Sequence, residues 1–260
     1  MAEQGGAGSP LLDARGITKR FAGLIALSNV SLSVDRGEVV ALIGPNGAGK
    51  STLFNCLSGV MRPDEGSVEF DGVDLLGLPA HRRSRLGLAR TFQQIELFPG
   101  LSVLDHLLVA ARAQRRNGGW WRDLAGRSRP TADELAECES ILELVGLADD
   151  ADRPIEALSL GRARVVELAR ALVCSPSLLF LDEPSSGLDG DETEAMGDVL
   201  EHVRASRDVA VLLCEHDVGF VRRLASRTVV LDCGARLAEG PTAVVLEHPD
   251  VQLAYLGAIA

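Results

Sequence analysis

No stretch of this 260-residue chain approaches the roughly 18 to 20 uninterrupted apolar residues needed to cross a bilayer. Its start, Met1-Ala2-Glu3-Gln4-Gly5-Gly6, has neither the basic nor the apolar region of a secretory signal, so a cytoplasmic place is expected. Cysteine is sparse. Cys56, Cys138, Cys174, Cys214 and Cys233 form no Cys-x-x-Cys pair, and most lie in apolar surroundings such as Leu212-Leu213-Cys214, which predicts reduced core thiols. An excess of positive charge is also missing. With 26 Lys and Arg against 37 Asp and Glu the net charge is −11, which argues against general nucleic-acid binding, because phosphate contacts need clustered cations. The densest basic run, His81-Arg82-Arg83-Ser84-Arg85, reads first as a solvated helix face. There is no internal repeat and no low-complexity tract. What remains is a chain of 46% hydrophobic and 24% charged residues, able to bury a sizeable core in one or two domains.

Apolar runs of β type recur at residues 30–34, 39–43, 67–70, 178–181, 209–214 and 228–231, with helical patterns between most of them. Leu135, Cys138, Leu142 and Val145 keep the spacing of a one-sided helix, as do Val165, Leu168, Ala169 and Leu172. Strands alternating with helices imply a mainly parallel sheet, hence an α/β fold. Between about Gln94 and Ser175 only helical periodicity appears, broken by a loop with Trp120 and Trp121 that reads equally as a partner contact or a packing plug. This middle segment reads as a helical subdomain inserted into the α/β core.

Gly44-Pro45-Asn46-Gly47-Ala48-Gly49-Lys50-Ser51 fits G-x-x-x-x-G-K-[ST] and follows the apolar run Val39-Val40-Ala41-Leu42-Ile43. The glycines let backbone N–H groups turn toward an anion, and a helix starting near Lys50 presents its positive dipole end there. Lys50 would reach the β and γ phosphates of a nucleoside triphosphate and Ser51 would set its hydroxyl on Mg²⁺. A second segment, Leu178-Leu179-Phe180-Leu181-Asp182-Glu183-Pro184, is a buried-type strand ending in two carboxylates, where ligands bind in open α/β sheets. Asp182 would hold Mg²⁺, directly or through water, and Glu183 would orient and deprotonate the water attacking the γ-phosphate. Leu158-Ser159-Leu160-Gly161-Arg162 opens a further helix, with Ser159 as its cap and backbone amides suited to phosphate.

Taken in this order, the three segments resemble the ATP-binding cassettes of ABC transporters, over about Leu11 to Leu256, with 158–162 similar to the signature L-S-G-G-Q. The resemblance implies a P-loop NTPase cassette: a mainly parallel RecA-like core (9–93 and 176–260), an antiparallel β subdomain, and an inserted helical subdomain (94–175) carrying the signature, all one domain over 9–260. It implies ATP and Mg²⁺ as ligands. Residues Gly44 to Ser51 with Thr52, together with Phe21 as the adenine-stacking aromatic, would bind nucleotide, while Ser159, Gly161 and Asp189 of the D-loop Ser185-Ser186-Gly187-Leu188-Asp189 would complete the partner's site. Gln93, in Arg90-Thr91-Phe92-Gln93-Gln94, falls at the Q-loop, which senses metal and water and touches the membrane subunit; Ser51, Gln93 and Asp182 form the implied metal set. His216, in Cys214-Glu215-His216-Asp217, matches the switch histidine that contacts the γ-phosphate; Glu183, His216 and Gln93 are the implied catalytic group.

The stretch 86–99, with Glu215-His216-Asp217 and the closing Ala254-Tyr255-Leu256-Gly257, looks like the ATP-binding subunits of branched-chain amino acid importers, relatives of which serve urea and short amides. Implied partners are transmembrane permease subunits, a second cassette (a copy or a paralogue) in a head-to-tail dimer, and indirectly an extracytoplasmic solute-binding protein, with the chain peripheral on the inner face of the membrane. Leu160 and Arg162 stand where the signature usually has glycine and glutamine; in the dimer Arg162 would act on ATP held by the other subunit. Two other readings stay open: a soluble cassette ATPase outside transport, and a module whose partner affinity is switched by ATP without steady turnover.

Overall fold

The computed structural model describes residues 9–91, 97–115 and 129–256. In chain order the elements are β1 (Leu12–Phe21), β2 (Leu24–Val34), β3 (Val39–Ile43), α1 (Lys50–Ser58), β4 (Glu65–Phe70), β5 (Val73–Asp74), α2 (Ala80–Arg85), β6 (Leu88–Arg90), α3 (Val103–Arg115) and α4 (Ala132–Leu144). After them come α5 (Leu160–Leu172), β7 (Leu178–Asp182), α6 (Gly190–Ser206), β8 (Ala210–Cys214), α7 (Val218–Leu224), β9 (Arg227–Asp232), β10 (Ala235–Pro241), α8 (Thr242–Val245) and α9 (Pro249–Leu256). They fall into two compact units, Met1–Arg83 with Asp208–Ala260, and Ser84–Arg207.

The first unit has two sheets. β3 is Val-Val-Ala-Leu-Ile with all five residues buried, the pattern of a parallel strand covered on both faces. It pairs in parallel with β8 on one side (Leu42 opposite Cys214) and β9 on the other (Leu42 opposite Val229), and β10 closes the edge beyond β9 antiparallel. The second sheet is antiparallel, in the order β2-β1-β4-β5. Its β1–β2 hairpin turns through Ala22 (φ 45°) and Gly23 (φ 89°), and two positive-φ residues between Phe21 and Leu24 match the strands' right-handed twist.

The second unit is largely helical. Thr131 caps α4 in a full capping box with Glu134, whose carboxylate also pairs with Arg112 of α3 at 2.9 Å. α5 buries most of its length, Val165, Val166, Leu168, Ala169 and Leu172 included. The fully buried β7 pairs in parallel with β6, setting Arg90 beside Phe180.

Five of the six apolar runs lie wholly in strands, and the sixth, 209–214, starts one residue ahead of β8. Strands β1, β5, β6 and β10 lacked such a signal, and β2 begins six residues ahead of its run, at Leu24. Cys56, Cys138 and Cys214 are core thiols, and burial pushes Cys56 up to about 11. Cys174 is half-buried and Cys233 exposed at the β9–β10 turn, so the reading of all five as core thiols is corrected there. Within the basic run, Arg83 is buried and donates to Leu78 O, Cys56 O and Leu57 O, which makes it the cap on the carbonyl end of α1 rather than a solvated side chain.

Candidate functional site

In the first unit, residues 44–49 leave the carboxyl end of β3 and run into α1. Gly44 has φ +150°, and a Cβ there would lie 2.2 Å from Leu231 O; Gly49 has φ +99°, and a Cβ would lie 2.8 Å from Ala26 O. Only glycine fits both places. Ala48 is buried, its N–H donating to Pro45 O at 3.2 Å and its carbonyl accepting from Gly234 N at 3.1 Å, whereas Asn46 and Gly47 are exposed. α1 begins with Gly49 in a left-handed conformation, with no side chain capping its amides and no acid in its first turn. Beneath the loop, the Lys50 ammonium donates to Gly44 O at 2.6 Å and Pro45 O at 3.0 Å and is 7% exposed. Unanswered helix-start amides and a held cation together make a receptor for an anion of phosphate type. Ser51 is exposed and Thr52 half-buried at the start of the same helix.

His216 leaves the end of β8 beside this loop, since β8 pairs with β3 and Glu215 N donates to Leu42 O at 3.4 Å. Glu215 is fully buried, and its carboxylate accepts from His216 N at 2.8 Å and Asp217 N at 3.2 Å. Asp217 then caps α7 through Phe220 N. The backbone of the turn is thereby fixed while the imidazole stays 58% exposed, Nδ1 3.6 Å from the Glu215 carboxylate. Phe21 ends β1 and is 42% exposed, outside the core, with the Lys19 ammonium 5.6 Å from its ring centroid.

In the second unit, Asp182 ends β7 at 6% exposure, its carboxylate paired with Arg90 at 2.8 Å and its N–H donating to Thr91 Oγ1 at 3.4 Å. Glu183 follows with φ +48°, a left-handed conformation that costs a non-glycine residue about 1–2 kcal/mol and marks places of function. Asp189 caps α6 by accepting from Glu192 N, and Ser159 caps α5 by accepting from Arg162 N at 3.3 Å. The first turns of α5 and α6 meet here, because Gly161 N donates to Glu192 Oε1 at 3.1 Å.

The Arg162 side chain turns back onto its own chain. Its Nε donates to Asp150 Oδ2 at 2.5 Å, its Nη2 lies against the same carboxylate, and Gly146 O accepts from it at 3.3 Å. Arg153 takes the other oxygen of Asp150 at 2.8 Å. Burial would raise the Asp150 carboxyl, but the two arginines outweigh it and hold the group below the usual carboxylate range.

Gln93, Trp120 and Trp121 lie outside the described residues. Among the described residues no group of three or more His, Cys, Asp and Glu could hold a metal by itself. Of the three implied donors, the Ser51 hydroxyl and the Asp182 carboxylate are each a hard oxygen of the kind Mg²⁺ takes. Sequence reasoning missed Arg90, Glu192 and Asp150, which act through contacts with residues 92, 31 and 12 positions away.

The chain is 39% identical over 254 residues, covering 95% of itself and 98% of its relative, to the high-affinity branched-chain amino acid transport ATP-binding protein BraF of Pseudomonas aeruginosa. LivG of Escherichia coli, described in the same words, is 39% identical over 250 residues with the same coverage. Among solved structures, the ADP conformation of MJ1267, an ATP-binding cassette of an ABC transporter, superposes with a TM-score of 0.85 at 29% identity, over 96% of this chain and 100% of that one. A nucleotide-free ATP-binding cassette from an ABC transporter gives 0.82 at 30% identity, over 95% and 98%. The pattern of the ABC transporter family matches residues 27–186, which spans the phosphate loop, the capped signature helix and the paired carboxylates: the chain belongs to that family, as one of its nucleotide-binding cassettes.

Proposed function

We propose that this chain binds and hydrolyses ATP as the motor subunit of an ABC importer whose solute is a branched-chain amino acid or a related small amino acid or amide. The observation that carries the ATP part is the loop at 44–51, where close backbone approach requires glycine and Lys50 sits under uncapped helix amides. Likeness to BraF and LivG carries the solute.

In this reading the amides of Gly44, Pro45, Asn46, Gly47, Ala48 and Gly49, with Lys50, Ser51 and Thr52, hold the phosphates, and Phe21 covers the adenine face. Glu183 takes a proton from the water whose oxygen attacks the γ-phosphorus, the bond to the β–γ bridging oxygen breaks, and ADP and phosphate result. His216 contacts the γ-phosphate, and Gln93 senses the state of the site. Ser51, Gln93 and Asp182 would hold Mg²⁺, which when bound neutralises charge on the transferring phosphoryl group. Ser159, Gly161 and Asp189 close on nucleotide held by a second cassette in a head-to-tail dimer. Closure driven by ATP is the working stroke, and residues 94–175, a helical subdomain set into a catalytic core of 9–93 and 176–260, pass it to transmembrane permease subunits served by a solute-binding protein. The chain then works in the cytoplasm, peripheral on the inner membrane face; that no helix among the described residues is long and apolar enough to cross a membrane fits this place.

Co-purification tests the reading. Glu183→Gln chain extracted from native membranes in mild detergent with Mg·ATP should bring two permease subunits and a second cassette. Recovery from the soluble fraction alone would overturn the importer reading.

A further inference from the structure

In the second unit the amide that opens the signature helix is already engaged by an anion. Gly161 N–H donates to Glu192 Oε1 at 3.1 Å, while Ser159 Oγ takes Arg162 N–H at 3.3 Å. Glu192 stands three residues after Asp189, the N-cap of α6, which accepts from Glu192 N at 2.8 Å. Asp-x-x-Glu is the spacing at which a carboxylate commonly folds back onto the cap's own amide; here it crosses to another helix instead. Gly161 permits the crossing, since a Cβ there would lie 2.9 Å from Glu192 Cδ and 3.0 Å from Cγ and Oε1. The nearby Arg162 is engaged by Asp150, which Arg153 also pairs.

We propose that Glu192 holds the place of a terminal phosphate: its carboxylate occupies the Gly161 amide in the free chain and is displaced when ATP on the second cassette docks against the signature. The proposal rests on the signature role given above. One amide cannot serve two anions at once, and a carboxylate left beside an arriving phosphate opposes it by like charge. Glu192 is thus a positioning residue that sets how much ATP pairs the cassettes. ADP lacks the phosphate that competes, so it leaves the contact closed.

The test uses sedimentation velocity on Glu183→Gln chain, alone and with the cassette that co-purifies with it, across a range of ATP or ADP concentrations with Mg²⁺. Adding Glu192→Gln, which keeps the length and an acceptor oxygen but removes the charge, should lower the ATP giving half-maximal pairing about three- to tenfold. Glu192→Ala should shift it the same way, and neither should produce pairing with ADP. Pairing unchanged in Glu192→Gln, or weakened in Glu192→Ala as loss of a merely structural cap would make it, overturns the proposal. Absence of ATP-driven pairing in Glu183→Gln itself would instead overturn the signature reading on which it rests.

Discussion

An alanine at position 44 would bring its methyl carbon 2.2 Å from Leu231 O, a backbone atom at the end of β9 that has no rotamer by which to move aside. Gly44 also has φ +150°, so the substitution carries backbone strain as well as collision. The strain costs about 1–2 kcal/mol for an L residue, and forcing a methyl into a filled space adds about 1–3 kcal/mol. Gly44→Ala should therefore lose about 2–5 kcal/mol, a large part of the stability of an ordinary domain. Gly47 provides the internal control. It has φ +81°, but a Cβ there meets nothing within 4 Å. Gly47→Ala should thus lose only the strain, about 1–2 kcal/mol. Urea unfolding followed by circular dichroism, without nucleotide, reads both. Equal losses, or a smaller loss at 44 than at 47, would refute the argument that close approach to β9 shapes this loop.

Lys50→Ala should lower ATP affinity at least tenfold, measured with a fluorescent ATP analogue, because it removes the one charge held under the loop by Gly44 O and Pro45 O; retained affinity would remove Lys50 from the phosphate site. Asp150 predicts a pH dependence. Its folded pKa lies below its unfolded value near 3.9, so the stability it contributes is present above that value and is lost as pH falls through the depressed one. The stability gap between the native chain and Asp150→Asn should then close as pH is lowered from about 5 toward 2; a gap that widens on acidification would contradict the pairing with Arg162 and Arg153.

What could be read from the sequence was what is local. The loop at 44–51 is eight consecutive residues, with glycine at each position, 44, 47 and 49, where its backbone takes a positive φ. β3 was legible because burial on both faces leaves an unbroken apolar run. β1 was not: it carries Asp13, Arg15, Lys19 and Arg20 on a sheet with an exposed face, and its register shifts around Gly16 blur the alternation that would mark it. β10 is mostly exposed, so no apolar pattern announces it. Long-range partners were equally hidden. Nothing near Asp182 in sequence says that Arg90 neutralises it, and Glu192 reads as an ordinary helix-start acid until its contact with Gly161 is seen. Arg83 illustrates the opposite error, a charge in a basic run that looks solvated yet caps buried carbonyls. Arg162 departs from the family's glutamine, and the fold answers with Asp150 as its partner.

On the proposed mechanism this chain turns over ATP through Glu183, which follows β7 in a left-handed conformation. ADP formation by the native chain and by Glu183→Gln in the purified complex, at saturating Mg·ATP and with bound nucleotide quantified alongside, decides whether it does. Steady hydrolysis is expected from the native chain, and in Glu183→Gln retained ATP with hydrolysis reduced at least about a hundredfold. Hydrolysis by Glu183→Gln at the native rate would contradict that mechanism.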